Sequence, residues 1–310
     1  MLLRTFIEID GKSVLFGKIE DERFSYDERY IREYGLPASL SLPVDRKTFG
    51  PAETYNYFNG LLPEGFTRRT VSRYLNVDES DYLSILSNLG RECIGAIRIS
   101  ADDEEKEQGY TKVSDEEVRR LAAEGQSASA DLVTRVHLSL AGASGKAGLY
   151  YDGAGNWYLP KGLAPSTHIV KQSHVRFDRM VINERLCMLT AKNLGIDVPD
   201  SFIVGTGHGS DEEVLFATKR YDRVFGENNT VINGLSVPYR LHQEDMAQAM
   251  GIPAEAKYER GDSHYFKRMA ELIEKNSSAP AEDMLKLWDR AVFNYLVGNT
   301  DGHIKNFSLI

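Results

Sequence analysis

An aspartate and an asparagine near the carboxyl end of the sequence have the spacing of a phosphoryl-transfer loop. Four residues separate Asp301 from Asn306, and a helix-like run over 287–297 precedes them. In loops with this spacing the carboxylate accepts the proton of an attacking hydroxyl, and the amide oxygen holds a magnesium ion on nucleotide phosphates. This spacing often arises by chance, so it is evidence for a phosphoryl-transfer loop only if matching elements occur earlier in the sequence. The pair predicts phosphoryl transfer if phosphate-binding elements precede it in the right order.

His303 lies between these two residues and has more than one interpretation. The imidazole could orient Asp301 or touch a phosphate, which makes His303 a candidate catalytic residue. Alternatively, it makes a structural hydrogen bond within the loop. The other histidines and the two cysteines, Cys93 and Cys187, do not have the spacing of zinc ligands, so no zinc site is predicted.

A glycine-rich segment over 139–149 could approach phosphates. Its glycines are spaced three residues apart, and without a Cβ the backbone N–H groups can come close to phosphate oxygens. The segment is not a Walker P-loop, because that motif needs a glycine where Leu140 stands and a hydroxyl residue where Ala147 stands. A hairpin with flexible glycines explains the segment equally well.

A lysine and a glutamate further along could complete such a site. The strand-like segment 167–170 ends in Lys171, and Glu184 lies early in the next predicted helix. A strand lysine that contacts the α- and β-phosphates and is oriented by a helix glutamate is the protein-kinase arrangement. Asn183, next to Glu184, is an alternative candidate for the polar residue on this helix. A single charged residue is usually only a surface charge, so the order of the elements carries the prediction.

The elements that must position these residues fall into three predicted parts. Residues 1–130 contain a hairpin around Asp10-Gly11, helices beginning near Pro51, Arg68 and Asp81, and strand-like segments over 24–34 and 90–99. They predict an α/β N-terminal domain.

Strand patterns with a single helix over 181–194 then predict a small strand-rich lobe over 131–223, and the helical pattern from Glu244 onward predicts a helical lobe over 224–310. The predicted fold class is α+β, with a bilobal kinase-like arrangement after the N-terminal domain.

Composition narrows the class of protein. The 310 residues are 42% hydrophobic and 27% charged, which is ordinary for a globular protein with a core. The net charge of −9 argues against direct binding of nucleic acid through bulk electrostatics. No apolar run approaches the length of a membrane helix, and the first residues do not form a secretory signal. We therefore predict a cytoplasmic protein without a disulfide framework.

Taken together, eight segments in this order resemble the HipA family of bacterial serine/threonine-kinase toxins from toxin–antitoxin modules. Two of them lie in the N-terminal half, at 57–64 and 90–96. The kinase part carries the others, at 139–146, 167–171, 183–188, 220–223, 242–251 and 299–308. The resemblance extends over essentially the whole sequence.

The resemblance implies a kinase that uses ATP and Mg²⁺. Asp301 would be the catalytic base, Asn306 a magnesium ligand, and Lys171 would hold the ATP phosphates. The backbone of the glycine-rich segment would cover those phosphates, namely Ala141, Gly142, Ala143, Ser144, Gly145 and Lys146. Adenine would meet the backbone of Lys219 and Tyr221, and the ribose would meet Asp222.

The resemblance also implies regulation and partners. Ser139 stands where family members carry an autophosphorylated serine that switches the kinase off. A dianion introduced there would expel the loop by repulsion and desolvation. The implied partner is a HipB-type helix-turn-helix antitoxin, through which DNA is contacted only indirectly. Known protein targets in the family include an aminoacyl-tRNA synthetase.

The end of the sequence raises a further expectation. It comes soon after Asn306, before the aspartate that binds the second metal position in the family. We expect a chain of this length to transfer phosphate poorly or not at all, and the strand beginning at Phe307 to lack a partner strand. Two alternatives remain: an inactive relative that binds an antitoxin or a nucleotide without phosphotransfer, and, more weakly, a small-molecule kinase.

Overall fold

The N-terminal domain is built around an antiparallel four-stranded sheet. A computed structural model describes residues 1–101, 108–124, 146–173, 178–208, 210–227 and 229–310. The sheet has the order β3-β2-β1-β4, with β1 Leu2–Ile9, β2 Lys12–Glu20, β3 Arg23–Tyr26 and β4 Ile97–Ser100. The predicted hairpin at Asp10-Gly11 joins β1 to β2, and both of its residues have positive φ. Side chains of β1 alternate between the core and the surface, as a half-buried strand requires.

Four helices cover this sheet: α1 Glu28–Glu33, α2 Pro51–Phe58, α3 Gly65–Leu75 and α4 Tyr82–Leu89. Their apolar faces and the sheet bury a cluster of aromatic side chains that includes Phe16, Phe24, Tyr30, Phe49 and Phe58. β3 contains only the first three residues of the segment 24–34, which the sequence predicts to be a strand and its flank. It ends at Tyr26 because Asp27 accepts hydrogen bonds from the N–H groups of Arg29 and Tyr30 and so caps α1.

The second sheet forms the strand-rich lobe. It has six strands in the order β5-β7-β6-β8-β10-β9. Their bounds are β5 Gly109–Lys112, β6 Lys146–Tyr151, β7 Trp157–Lys161, β8 His168–Lys171, β9 Ser201–Gly205 and β10 Val214–Lys219. Among the described residues of this lobe, two helices accompany the strands, α5 Asp115–Glu124 and α6 Met180–Asn193. A capping box between Ser114 and Glu117 starts α5 as predicted.

The hydrogen bonds of residues 109–112 place the boundary between the first two parts earlier than the sequence predicts. Residues 109–112 pair with β7, and Val118 and Leu121 of α5 are buried against the second sheet. Residues 109–124 therefore belong with the strand-rich lobe, and the boundary lies well before residue 130. No sequence pattern marks this, because β5 is paired with a strand that follows it by more than 40 residues.

The third part is helical with short strand pairs. Its helices are α7 Met246–Ala249, α8 Tyr265–Asn276 and α9 Pro280–Leu296. The strand pairs are β11 Arg223–Val224 with β14 Tyr239–Arg240, β12 Val231–Ile232 with β13 Leu235–Ser236, and β15 Glu244–Asp245 with β16 Ser308–Leu309. The last pair corrects our expectation that the strand after Phe307 lacks a partner. Within the described ranges, no helix is long and apolar enough to span a membrane.

The segment 220–223, called here the hinge segment, leaves β10 and leads into the helical lobe. It is packed against the loop over 92–95 of the N-terminal domain, where Gly95 N–H donates to Asp222 Oδ2 at 2.8 Å. This loop explains why the strand predicted over 90–99 begins only at Ile97. Residues 92–95, which precede this strand, contact the hinge segment instead of pairing in the sheet.

Candidate active site

A cleft of about 920 Å³ lies between the strand-rich lobe and the helical lobe. It is lined by Lys146 and Lys171 from the sheet, Glu184 from α6, and Asp301 and Asn306 from the loop after α9. The volume is in the range of sites that hold a small organic ligand or cofactor. Residues that are far apart in sequence, and whose combination predicted phosphoryl transfer, therefore face one cavity.

Lys171 and Glu184 form an ion pair in this cleft. Lys171 Nζ lies 2.5 Å from Glu184 Oε1, and its ammonium also lies 5.7 Å from the ring centroid of Phe216. Lys171 is the last residue of β8, and Phe216 faces it across the strand pair β8–β10. Asn183 lines the cleft as well, but the lysine pairs with the glutamate. The ion pair holds the ammonium at a defined position in the cleft wall.

Lys146 is adjacent to Lys171 across the strand pair β6–β8. Burial, followed by the neighbouring Lys171 ammonium, lowers the pKa of Lys146 to about 7. An anion bound near both lysines would favour the charged form of Lys146. The pair therefore gives one wall of the cleft the electrostatics of an anion site.

The loop after α9 presents the candidate base. Asp301 has 71% of its side chain exposed, and its Oδ1 accepts a hydrogen bond of 2.7 Å from the Tyr258 hydroxyl. Asn306 Nδ2 donates to the carbonyl oxygen of Asp301, so Oδ1 of Asn306 is the atom that could contact a cation. The buried side chain of Ile304 anchors the loop to the helical core. The carboxylate and the amide are thus held on one short loop.

The structure excludes a hydrogen bond between the imidazole of His303 and Asp301. The Nε2 atom lies 3.8 Å from Asp301 Oδ1, which is too long for a hydrogen bond. The ring instead packs edge-on against Tyr258, with centroids 5.0 Å apart. Burial and then the nearby Lys257 lower the pKa of His303, so the neutral ring is favoured. The hydrogen bond from His303 to the aspartate comes from its backbone N–H, which donates to the Asp301 carbonyl at 2.8 Å.

Asp222 lines the cleft but is buried in an ion-pair network. Its Oδ1 accepts from Arg220 Nε at 2.9 Å, and its Oδ2 accepts from Arg220, Gly95 and Gln243. Burial alone would raise the pKa of Asp222, but the adjacent Arg220 and Arg223 guanidinium groups hold it well below its usual range. Both oxygens therefore accept hydrogen bonds from protein groups, and the ribose contact that the family resemblance implies stays a prediction.

Lys219 and Tyr221 are the residues whose backbone is expected to meet adenine. The N–H of Lys219 already donates to the carbonyl of Asp200 at 2.8 Å, so this donor is not open to a ligand. Tyr221, whose backbone is the other expected adenine contact, lines the cleft and is nearly half exposed, while its hydroxyl donates to Gln243 Oε1 at 2.7 Å. Ser139 and the loop residues Ala141, Gly142, Ala143, Ser144 and Gly145 lie outside the residues that the structure describes.

Sequence reasoning missed a charged cluster at the floor of the cleft. Lys257 Nζ lies 2.5 Å from Glu64 Oε2, and Lys305 Nζ lies 2.9 Å from Asp245 Oδ2 and 2.9 Å from the carbonyl oxygen of Gly60. Glu64 immediately precedes α3 of the N-terminal domain, and its side chain reaches into the cleft. No local pattern reveals such a contact, because its partners are nearly 200 residues away in sequence.

Comparison with known proteins identifies the family. The profile of the HipA N-terminal domain matches residues 13–100, and that of the HipA-like C-terminal domain matches residues 138–310. The Y4mE protein of Sinorhizobium fredii is 33% identical over 97% of this chain and 72% of its own length. The chain belongs to the HipA family.

The HipA toxin of Shewanella oneidensis connects the fold to a kinase, by its sequence and by a solved complex. The serine/threonine-protein kinase toxin HipA of Shewanella oneidensis is 29% identical over 89% of this chain and 64% of its own length. A solved complex from Shewanella oneidensis MR-1, which contains HipA, HipB and operator DNA, has a chain that matches 99% of this one with a TM-score of 0.77 and 25% identity, over 72% of its own length. The α+β kinase-like fold predicted from the sequence is therefore confirmed.

Proposed function

We propose that this HipA-family protein is a serine/threonine-protein kinase toxin that transfers the γ-phosphate of ATP to a protein hydroxyl. The observation that carries the proposal is the placement of the Lys171–Glu184 ion pair and the Asp301 carboxylate on the walls of one cleft. Kinases need both parts, because the lysine positions the phosphates and the aspartate receives the proton of the attacking hydroxyl. Neither part alone would distinguish a kinase from another nucleotide-binding protein.

The residues present fit ATP and Mg²⁺. The cleft has the volume of a nucleotide-sized site. Lys171 provides positive charge on one wall, and the adjacent Lys146 would add to it once a bound anion favours its charged form. ATP with Mg²⁺ supplies the transferable phosphoryl group and offsets the charge on its phosphates. In this proposal Lys171 binds phosphate oxygens, Asn306 Oδ1 contacts the magnesium ion, and Asp301 accepts the proton of the protein hydroxyl.

The proposal also includes the autophosphorylation site, the phosphate-facing loop and the antitoxin partner that the family resemblance implies. Ser139 is the proposed autophosphorylation site, and its modification would switch the kinase off. Lys146 and the preceding backbone would face the phosphates. The proposed partner is a HipB-type helix-turn-helix antitoxin, since the related HipA of known structure forms a complex with HipB and operator DNA. The acidic net charge of −9 agrees with DNA contacts that pass through the antitoxin rather than through this chain.

The test is phosphate transfer by the protein expressed from its complete reading frame. Purified protein is incubated with radiolabelled ATP, Mg²⁺ and a bacterial protein extract, and label is followed on the protein itself and on extract proteins. We expect Asp301→Ala to reduce the rate by about 10²–10⁴-fold, which is the usual contribution of a general base. Asp45→Ala is the matched control, because Asp45 is exposed in the N-terminal domain and does not line the cleft.

Growth of the host provides a second measurement. Expression of the active protein should arrest growth, and Asp301→Ala should relieve the arrest while Asp45→Ala does not. If the wild-type protein binds ATP but transfers no label, the proposal is overturned in favour of a regulator that binds nucleotide or antitoxin without phosphotransfer. Transfer that is indifferent to Asp301→Ala would overturn it as well.

A further inference from the structure

A tyrosine outside the catalytic loop makes the side-chain contact that orients the candidate base. Tyr258 lies between α7 and α8, and its hydroxyl donates a hydrogen bond of 2.7 Å to Asp301 Oδ1. Asp301 is otherwise highly exposed, so without such a contact its carboxylate would populate several rotamers. The hydrogen bond engages Oδ1 and so restricts the rotation of the carboxylate.

The Tyr258 ring has two neighbours that restrict it. It packs edge-on against the His303 ring, with planes at 83°. The Lys257 ammonium lies 5.4 Å from the centroid of the Tyr258 ring and pairs with Glu64 of the N-terminal domain. A tyrosine with few rotatable bonds, held in this way, can keep its hydroxyl at one position. The N-terminal domain thus helps to place a group beside the candidate base.

We propose that Tyr258 is a positioning residue, which orients the Asp301 carboxylate for proton abstraction from the protein hydroxyl. The inference rests on the proposed kinase function and adds to it a residue that lies outside the segments that carry the family resemblance. Tyr258 does not itself accept or give up a proton in the reaction. The hydrogen bond to Asp301, more than burial, raises the pKa of Tyr258 to about 12, so the hydroxyl stays protonated and remains a donor at neutral pH.

The proposal assigns different roles to the two carboxylate oxygens of Asp301. Oδ1 is engaged by Tyr258, so Oδ2 is the oxygen that would accept the substrate proton. Loss of the hydroxyl would leave the carboxylate free to rotate, and a base that spends most of its time misplaced slows the chemical step without weakening nucleotide binding. A purely structural role would predict reduced stability instead.

The experiment compares Tyr258→Phe with Tyr55→Phe in the protein expressed from its complete reading frame. Tyr55 also donates a hydrogen bond of 2.7 Å to a carboxylate, that of Glu255, but neither residue lines the cleft. We expect Tyr258→Phe to lower kcat by about tenfold or more and to change KM for ATP by less than about twofold. Tyr55→Phe should leave both constants unchanged within about twofold.

A readout that does not depend on activity is the ¹³C chemical shift of the Asp301 carboxyl carbon at a fixed pH, assigned by its loss in Asp301→Asn. We expect this signal to move in Tyr258→Phe and to stay in place in Tyr55→Phe, with unchanged thermal unfolding in both. Unchanged kcat in Tyr258→Phe, or an increased kcat, would overturn the positioning role. Absence of transfer by the wild type would instead count against the kinase function, and the carboxyl signal would then decide the Tyr258 contact alone.

Discussion

Oε1 of Glu92 lies 3.2 Å from Nη2 of Arg223, and both side chains are almost completely buried. The same oxygen lies 3.2 Å from Nη1 of Arg220 and accepts hydrogen bonds from the N–H and hydroxyl of Ser166. Glu92 belongs to the N-terminal domain, whereas the two arginines belong to the hinge segment between the lobes. The N-terminal domain therefore fixes the position of the segment that borders the cleft.

Removing this carboxylate should destabilise the protein strongly. We expect Glu92→Ala to lower the free energy of unfolding by about 3–5 kcal/mol, because two buried guanidinium groups lose a common counterion. Glu33→Ala is the control, since its pair with Arg29 is largely exposed and should contribute far less to stability. Urea unfolding followed by circular dichroism measures both values. Equal effects of the two substitutions would contradict the proposed role of the network.

Glu184→Gln should weaken ATP binding. The substitution keeps the size of the side chain but removes the charge that holds Lys171 Nζ at 2.5 Å, so we expect the Kd to rise by about tenfold. Lys171→Met should weaken binding further, because it removes the ammonium itself. Isothermal titration calorimetry with Mg²⁺–ATP gives the constants. Glu212→Gln, an exposed glutamate of the same lobe outside the cleft, should bind like the wild type.

Glu244 should make stability depend on pH. Burial raises the pKa of Glu244 to about 7, although Ser39 and the N–H of Leu40 donate hydrogen bonds to it. The contribution of Glu244 to the free energy of unfolding is fully present below pH 4.5, which is the ordinary pKa of the carboxyl. Between there and about pH 7 the unfolded chain releases the proton while the folded protein keeps it, so stability falls as pH rises.

Glu244→Gln should remove that pH dependence. We expect the free energy of unfolding of the wild type, relative to the variant, to fall by on the order of 2–3 kcal/mol between pH 4.5 and pH 7.5. Denaturant unfolding at several pH values measures the difference. A difference that stays constant over this range would show that Glu244 titrates normally in the folded protein.

Gly95→Ala should disrupt the contact between the N-terminal domain and the helical lobe. Gly95 has φ of +69°, and an added Cβ would lie 2.7 Å from the backbone nitrogen of Gln243. We expect a loss of more than about 2 kcal/mol in the free energy of unfolding, from backbone strain together with the clash. Gly153→Ala separates the two causes, because Gly153 has φ of +79° with nothing within 4 Å of an added Cβ. Thermal and urea unfolding should show a loss of only about 1–2 kcal/mol for Gly153→Ala.

Local patterns in the sequence predicted most of the helices and strands. The hairpin at Asp10-Gly11, the helix beginning at Pro51 and the capped helix after Ser114 depend on neighbours in sequence, and the structure contains all three. Sequence patterns were less informative where hydrogen bonds to residues distant in sequence decide the backbone conformation. The loop over 92–95 is apolar enough for a strand, but its backbone groups bond to the hinge segment instead.

The sequence by itself determined the chemical inventory: an Asp–Asn pair at kinase spacing, a strand lysine, a helix glutamate, and the family to which the chain belongs. Only the tertiary structure decided which glutamates, lysines and tyrosines surround that inventory. Glu64, Lys257 and Tyr258 become part of the cleft because folding brings the N-terminal domain against the loop after α9. Charge pairs and hydrogen bonds act over a few ångströms, whereas sequence patterns report only on neighbours within a turn or a strand.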